Sequence, residues 1–418
     1  MFFESYIIIK MKKIGLLKLQ RKRSFLIKRT QNYFHKNYKY NKVDKTEAKR
    51  IDNNGKQIKI RNPGIDLVRI LSMYAIIIHH ILITTDIFKK YSQFEKLKLM
   101  NMLTFWHVSS YALISGYVGY KTNKYSNLLY LMLWTLFYST GLTYFINKFK
   151  PQFQTRKLIY EDFFPIVYEA YWYFTQYFGM YLFLPVINKG IQSLNKIELR
   201  TVFLSTIFVF IVLKDYMNPK KDPFRMVFGY SSKWLLICFL AGAYLGKFKQ
   251  NYYGIKKIIL LLICIFIFYY SAYLCYKLSY YSIDNVKGYY KAKVMIFLKL
   301  IFVLRINAVP MIFESFSVLI FFTHIKYNKY LAKIIVFIAP LTFGTFLIHY
   351  HPIVKATILK NLFLKDPNNL PLNIIIKLVL FRGIKMFIIC IIIDYLRHIL
   401  FTILKIRKIC IYFEKKII

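Results

Sequence analysis

Cysteine, histidine and acidic side chains are the scarce residues of this 418-residue chain, and each shortage narrows its chemistry. The five cysteines, Cys238, Cys264, Cys275, Cys390 and Cys410, lack metal-ligand spacing. Most sit in apolar stretches, where a free thiol packs as a small hydrophobe. There is no P-loop, no glycine-rich dinucleotide turn and no His-Glu-x-x-His, so no metal or resident cofactor is expected. There is also no internal repeat and no soluble catalytic domain at either end. Acids number 18 against 62 Lys and Arg, a net charge of +44. The basic residues are scattered between apolar stretches and gather on no folded basic face, which excludes a nucleic-acid partner. They read as membrane-flanking loop residues.

Apolar side chains are what the sequence has in excess. They make up 57% of the chain, aromatics 19%, and the mean hydropathy is +0.38. They come in long blocks, which points to an all-α, multi-pass membrane bundle embedded in a lipid bilayer. The blocks predict about ten transmembrane helices, with nine to eleven as the range. They lie near residues 65–86, 102–120, 127–147, 171–188, 200–214, 233–247, 256–276, 308–325, 333–351 and 373–396. Val294 to Val303, interrupted by Lys299, reads as a half-helix or an interfacial segment. Three regions follow: a basic segment 1–64, a membrane domain 65–400 and a basic tail 401–418. Residues 1–64 hold 18 Lys and Arg against 4 Asp and Glu, which predicts a cytoplasmic N-terminus. Ten spans would return Arg407, Lys408, Lys415 and Lys416 to the same side. Ile7 to Leu26 mixes basic and apolar residues as a short amphipathic helix on anionic lipid would. Met11 is an alternative start, and no cleavable leader is expected.

Few polar groups enter the apolar blocks, so each one carries information. Asp66, Arg69 and His80 share the first block, and ionisable groups at membrane depth cost about 2.5–3.5 kcal/mol each. Eleven residues of helix bring His80 to within roughly 20° of Arg69, with Asp66 within about 60° of that line and His79 about 80° off it. The expectation is a polar stripe facing the bundle interior, with His80 able to accept a proton near neutral pH. An adjacent Asp or Arg would set its tautomer. His107, His324 and His398 read as helix-end or interfacial residues. His349 and His351 cannot both face one cavity on a regular helix, but Pro352 predicts that the helix ends at His349 or Tyr350. His351 would then turn back over the cavity mouth. Glu314 is a rare acid in a late block, expected to pair with a basic group. Ser115 and Gly116 suggest close helix packing. Pro185 and Asn188 suggest capping and termination of the fourth span.

Five ordered segments resemble the membrane acyltransferase-3 family, in the subgroup without a fused hydrolase-like domain. They are GIDLVRILSMYAIIIHH with the Arg-x10-His pair Arg69 and His80, ALISGYVGYKT, YWYFTQYFGMYLFLPVIN, KWLLICFLAGAYLGK and FGTFLIHYHPIV. The resemblance runs over roughly residues 61–400. Many members carry Arg-x-x-Arg after the second span. Here that loop reads YKTNKY, with Lys121 and Lys124 keeping the charge but not the two-pronged guanidinium.

The resemblance implies O-acylation of a surface carbohydrate or related hydroxylated acceptor, with acetyl-CoA or another acyl-CoA as donor substrate. Such a transferase moves groups other than amino-acyl groups. The residues agree with it: a thioester attacked by an alcohol needs a base, groups for the oxyanion and exclusion of water. His80 is the candidate base. Arg69, about 16 Å away along the helix, would hold the anionic part of the donor or pair with Asp66. Lys121 and Lys124 would assist on the donor side, with His349, His351 and Glu314 on the acceptor side. Direct transfer and an acetyl-His relay fit equally. A transporter or a non-catalytic scaffold is the competing class; the chain has no inverted repeat and no matched pair of broken helices, features that mark transporters.

Overall fold

The computed structural model describes residues 61–85, 87–91, 94–122, 124–149, 156–217, 221–250, 252–280, 309–363, 366–367 and 370–417. The chain divides after Asn62, and the unit from Pro63 onward carries every helix discussed below. The expectations for residues 1–60 and for Val294 to Val303 lie outside the described residues.

Secondary structure among the described residues is helical, without strands. The long elements are α1 (Pro63–Thr84), α2 (Trp106–Gly119), α3 (Tyr125–Phe149), α4 (Trp172–Leu182), α5 (Leu184–Ser193), α6 (Lys196–Ile207), α7 (Ser232–Lys247), α8 (Gly254–Tyr280), α9 (Val309–His324), α10 (Lys329–Ile338), α11 (Thr342–His349), α12 (Leu372–Ile403) and α13 (Ile406–Ile417). Each of the ten apolar stretches contains helix. Among the described residues, four segments are long and apolar enough to cross a membrane: Pro63–Thr84, Tyr125–Lys148, Gly254–Leu274 and Lys329–His349. The last is one rod in three parts, because Pro340 tightens Ala339–Leu341 into a 3-10 turn between α10 and α11. A π turn, Phe208–Leu213, extends α6.

Local chemistry explains the starts and breaks. Asn195 and Glu198 form a reciprocal capping box at α6, and Ser231 and Asn328 cap α7 and α10. Two expectations need correction. The second span begins at Trp106, because Phe94–Met102 is a separate helix followed by a turn through Leu103–Phe105. Asn188 does not cap the end of the fourth span. Pro185 opens α5, and Asn188, buried inside it, donates from Nδ2 to the carbonyls of Gly119 and Thr122, both at 3.4 Å. A missing proline N–H is harmless in a first turn, so the chain restarts a helix there. Asn188 therefore pins the loop that carries Lys121.

Burial is distributed as a bilayer demands. On α8, Ile258, Leu262 and Phe266 face outward, and on α12 Phe381, Ile388, Ile392 and Leu396 do the same. Such an array would be costly in water but not against lipid tails. Inside, α2 and α7 meet backbone to backbone. A Cβ on Gly116 would come within 1.9 Å of the Phe239 carbonyl oxygen, and one on Gly242 within 1.9 Å of the Leu113 oxygen. The packing role expected of Gly116 is what the seam requires.

Candidate active site

The first helix delivers both ends of the site. At its start, Arg69 Nη1 donates to Asp66 Oδ1 at 2.6 Å; the carboxylate is buried and the guanidinium is about one-quarter exposed. At its other end, His80 is buried, and its Nδ1 lies 2.9 Å from Nε2 of His349 on α11. His349 Nδ1 lies 2.6 Å from the Thr345 carbonyl. A carbonyl only accepts, so His349 carries its proton on Nδ1. In its neutral form its Nε2 is then an acceptor, and His80 Nδ1–H donates to it. The remaining lone pair of the dyad is on His80 Nε2. The tautomer of His80 is thus set by a second histidine, not by the Asp or Arg expected.

His80 borders a cavity of about 50 Å³. Its other polar lining groups include His107 and Tyr111, and Trp172, Tyr173 and Phe346 supply much of the aromatic wall. His107 donates from Nδ1 to the Thr104 carbonyl, and its ring centroid is 5.1 Å from that of His79. His79 Nδ1 lies 2.8 Å from Asn101 Oδ1. The ring that falls off the Arg69 line therefore belongs to a second imidazole pair. His107 is part of the cavity wall and not an interfacial residue.

The two ends of α1 are linked along α4. Tyr173, Tyr177 and Tyr181, spaced by four, share one face. Tyr173 and Tyr177 lie 6.4 Å apart and nearly parallel, and Tyr177 and Tyr181 lie 5.8 Å apart. Tyr181 donates to the Lys124 carbonyl at 3.0 Å, and Tyr111 donates to the Arg69 carbonyl at 2.8 Å. This column runs from the loop of Lys121 and Lys124, both exposed, to the cavity. Sequence reasoning read the segment as a resemblance and missed the Tyr spacing, which was there to be seen.

His351 and Glu314 depart from expectation. The helix does end at His349, but His351 turns away from His80. Its Nε2 lies 3.2 Å from both the Ser139 carbonyl and Thr143 Oγ1, and 4.0 Å from Asp162. Tyr350 occupies the place foreseen for it, with its ring 4.4 Å from His80 at 26°. Glu314 is fully buried, and neither carboxylate oxygen has a hydrogen-bond partner among the described residues, so the expected basic partner is not there. Its neighbour Ser315 donates to the Trp106 carbonyl, which places Glu314 beside the turn that carries His107.

A further charged pair went unnoticed in the sequence. Asp394 and Arg397 on α12 are buried together: Arg397 Nε donates to Asp394 Oδ1 at 2.9 Å and Nη2 to Oδ2 at 2.8 Å. Trp134 Nε1 and the Tyr138 hydroxyl donate to the same carboxylate. Gly344 of α11 lies against it, where a Cβ would meet Asp394 at 2.0 Å. The pair clamps the His349-bearing helix against α3 and α12.

A lipid-facing helical bundle with an internal, histidine-walled cavity defines a membrane protein with a buried polar centre. The chain belongs to the acyltransferase family: the family model described as an acyltransferase domain matches residues 62–395, nearly the whole helical unit. No curated protein and no solved structure matches it.

Proposed function

We propose that the protein transfers an acetyl or similar acyl group from acyl-CoA to a hydroxyl of a carbohydrate or related acceptor inside the bundle. The observation that carries this reading is the His80–His349 contact at the cavity wall, on the helix that also holds Arg69. The dyad leaves one imidazole lone pair, on His80 Nε2, for an acceptor hydroxyl. As His80 takes the hydroxyl proton, the acceptor oxygen bonds to the acyl carbon. The carbon–sulfur bond then breaks, and the leaving thiolate recovers the proton from the imidazolium. Loss of that proton from Nε2 restores the starting tautomer. Attack by His80 Nε2 itself, through an acyl-imidazole, uses the same lone pair.

The donor's anionic portion belongs at the Arg69 end, with Lys121 and Lys124 as the nearby loop cations. The pantetheine arm would follow the wall of Tyr181, Tyr177 and Tyr173 toward the cavity. The apolar, aromatic lining of the cavity favours transfer over hydrolysis by limiting the water that can reach the thioester. A transporter would need a through-path; the matched family weighs against it.

Titration calorimetry of acetyl-CoA into the purified protein tests the donor half of this reading without any acceptor. Wild type binds saturably, Arg69→Ala weakens binding about tenfold or more, the scale of one lost charge-assisted contact, and His80→Ala keeps binding but loses transfer. A folded wild-type protein that does not bind acetyl-CoA would sink it.

A further inference from the structure

The end of the bundle that carries the histidine dyad also carries a cation, Lys355, with no carboxylate partner among the described residues. Lys355 opens a π turn, Lys355–Leu359, immediately after Pro352–Val354. Its Nζ donates to the Tyr350 hydroxyl at 3.4 Å and lies 4.5 Å from that ring's centroid. The Tyr350 ring also packs on His80, stacked at 4.4 Å, and on Phe346 at 5.7 Å. The Lys355 cation and the His80 imidazole therefore meet the same phenol ring, that of Tyr350. Lys355 and Tyr350 are both half-buried. Among the described residues no carboxylate pairs with Lys355. The acids at this end are engaged elsewhere: Asp366 with Arg382 (2.7 Å for one of its two contacts), and Asp162 with Ser139.

The surroundings suit a sugar-like ligand. Trp172 of the cavity wall packs on Tyr230 at 4.5 Å, and Tyr230 is within electrostatic range of Tyr350. Tyr230 ends a loop with three non-glycine residues in the left-handed region, Arg225, Val227 and Phe228, fixed in part by Val227 N donating to Asp222 Oδ2 at 2.8 Å. Such strain costs of order 1–3 kcal/mol per residue and is concentrated at ligand clamps. π turns are likewise enriched at functional sites.

We infer that the acceptor carries an anionic group, a carboxylate or a phosphate, which Lys355 binds while a hydroxyl of the same molecule reaches His80. The inference rests on the acyl-transfer reading above. A half-buried cation stacked on a phenol gains little from remaining bare. An anion seated on it makes a charge-assisted hydrogen bond, and a neutral polyol gives it only a weaker one. Aromatic rings at the rim would meet the apolar face of the ring or chain that bears the acid.

The test uses matched acceptor pairs that differ only in charge: methyl glucoside against methyl glucuronide, and glycerol against glycerol 3-phosphate. The first pair reads a carboxylate and the second a phosphate. Purified full-length protein is given labelled acetyl-CoA, and kcat/KM is compared within each pair. Wild type favours the anionic member of at least one pair by about tenfold or more, the size of one charge-assisted contact. Lys355→Gln brings that ratio to within about twofold, and Lys355→Glu inverts it. Lys360→Gln, an exposed lysine of the same segment, leaves the ratio as in wild type. Retained acetyl-CoA binding shows that each variant is folded. A wild-type ratio near one, acylation of no anionic probe, or a preference that Lys355→Gln does not move overturns the inference. Absence of acetyl-CoA binding by wild type is a separate result and counts against acyl transfer itself.

Discussion

His349 has no free lone pair to offer a substrate: one ring nitrogen is committed to the Thr345 carbonyl and the other to His80. Its effect on the reaction must run through His80, as an orienting residue. Replacing it by Ala leaves His80 in place but frees its ring to rotate and to choose either tautomer. The expected outcome is a fall in kcat of about 10–100-fold with acetyl-CoA binding retained, smaller than the roughly 10²–10⁴-fold contribution of a positioned base itself. His349→Gln, whose amide can still accept from His80, recovers part of the loss. Stopped-time acyl-transfer assays on the two variants check this; equal losses in both would show that His349 merely fills space. The Arg69–His80 stripe was legible in the sequence because both residues lie on one helix, where spacing fixes direction. The partner of His80 was not, because it lies 269 residues away and nothing local states which helices meet. The same limit hid the pairing of His79 with Asn101 and His107, although the 80° offset already said that His79 faces a different neighbour.

Between helices, small residues decide how closely backbones approach. Gly242→Ala drives a methyl to 1.9 Å from the Leu113 carbonyl, and the obstacle is backbone, which cannot rotate away. The seam between α2 and α7 must open, and α2 carries His107 and Tyr111. The expected outcome is a clear drop in melting temperature in detergent and a lost or broadened monodisperse peak. Gly141→Ala on α3 is the contrast: nothing lies within 4 Å of its added Cβ, so the variant should be unchanged or more stable by up to about 1 kcal/mol. Equal stability of the two variants would refute the account of the seam. At this scale most of the fold could be read in advance, because lipid-facing helices announce themselves by length and apolarity. The errors came where the chain changes direction inside an apolar block, at Leu103–Phe105 and at Pro185. Asp394 and Arg397 were readable as an i,i+3 acid–base pair in an apolar run. Gly344 and Trp134, which give that pair its place, come from other helices and left no local mark.

Across the whole helical unit, the lysines proposed for the donor, Lys121 and Lys124, and the lysine proposed for the acceptor, Lys355, sit toward opposite ends of α3. Lys124 precedes its first turn, where Asn127 accepts from Arg407 of α13. Thr143, near its far end, contacts His351, four residues before Lys355. Nineteen residues of helix separate Lys124 from Thr143, about 28 Å, close to the thickness of a bilayer's hydrocarbon core. If α3 crosses the membrane, as its length and apolarity allow, Lys124 and Lys360 emerge on opposite faces. Donor and acceptor would then approach from different compartments, with the tyrosine column and the cavity between them. Single cysteines placed at Lys124 and at Lys360 in a cysteine-free background test this, since both positions are exposed. A membrane-impermeant maleimide applied to sealed vesicles of one orientation should label one position and not the other. Permeabilised vesicles should label both. Labelling of both positions in sealed vesicles would place donor and acceptor mouths on one face and rule out transfer across the bundle.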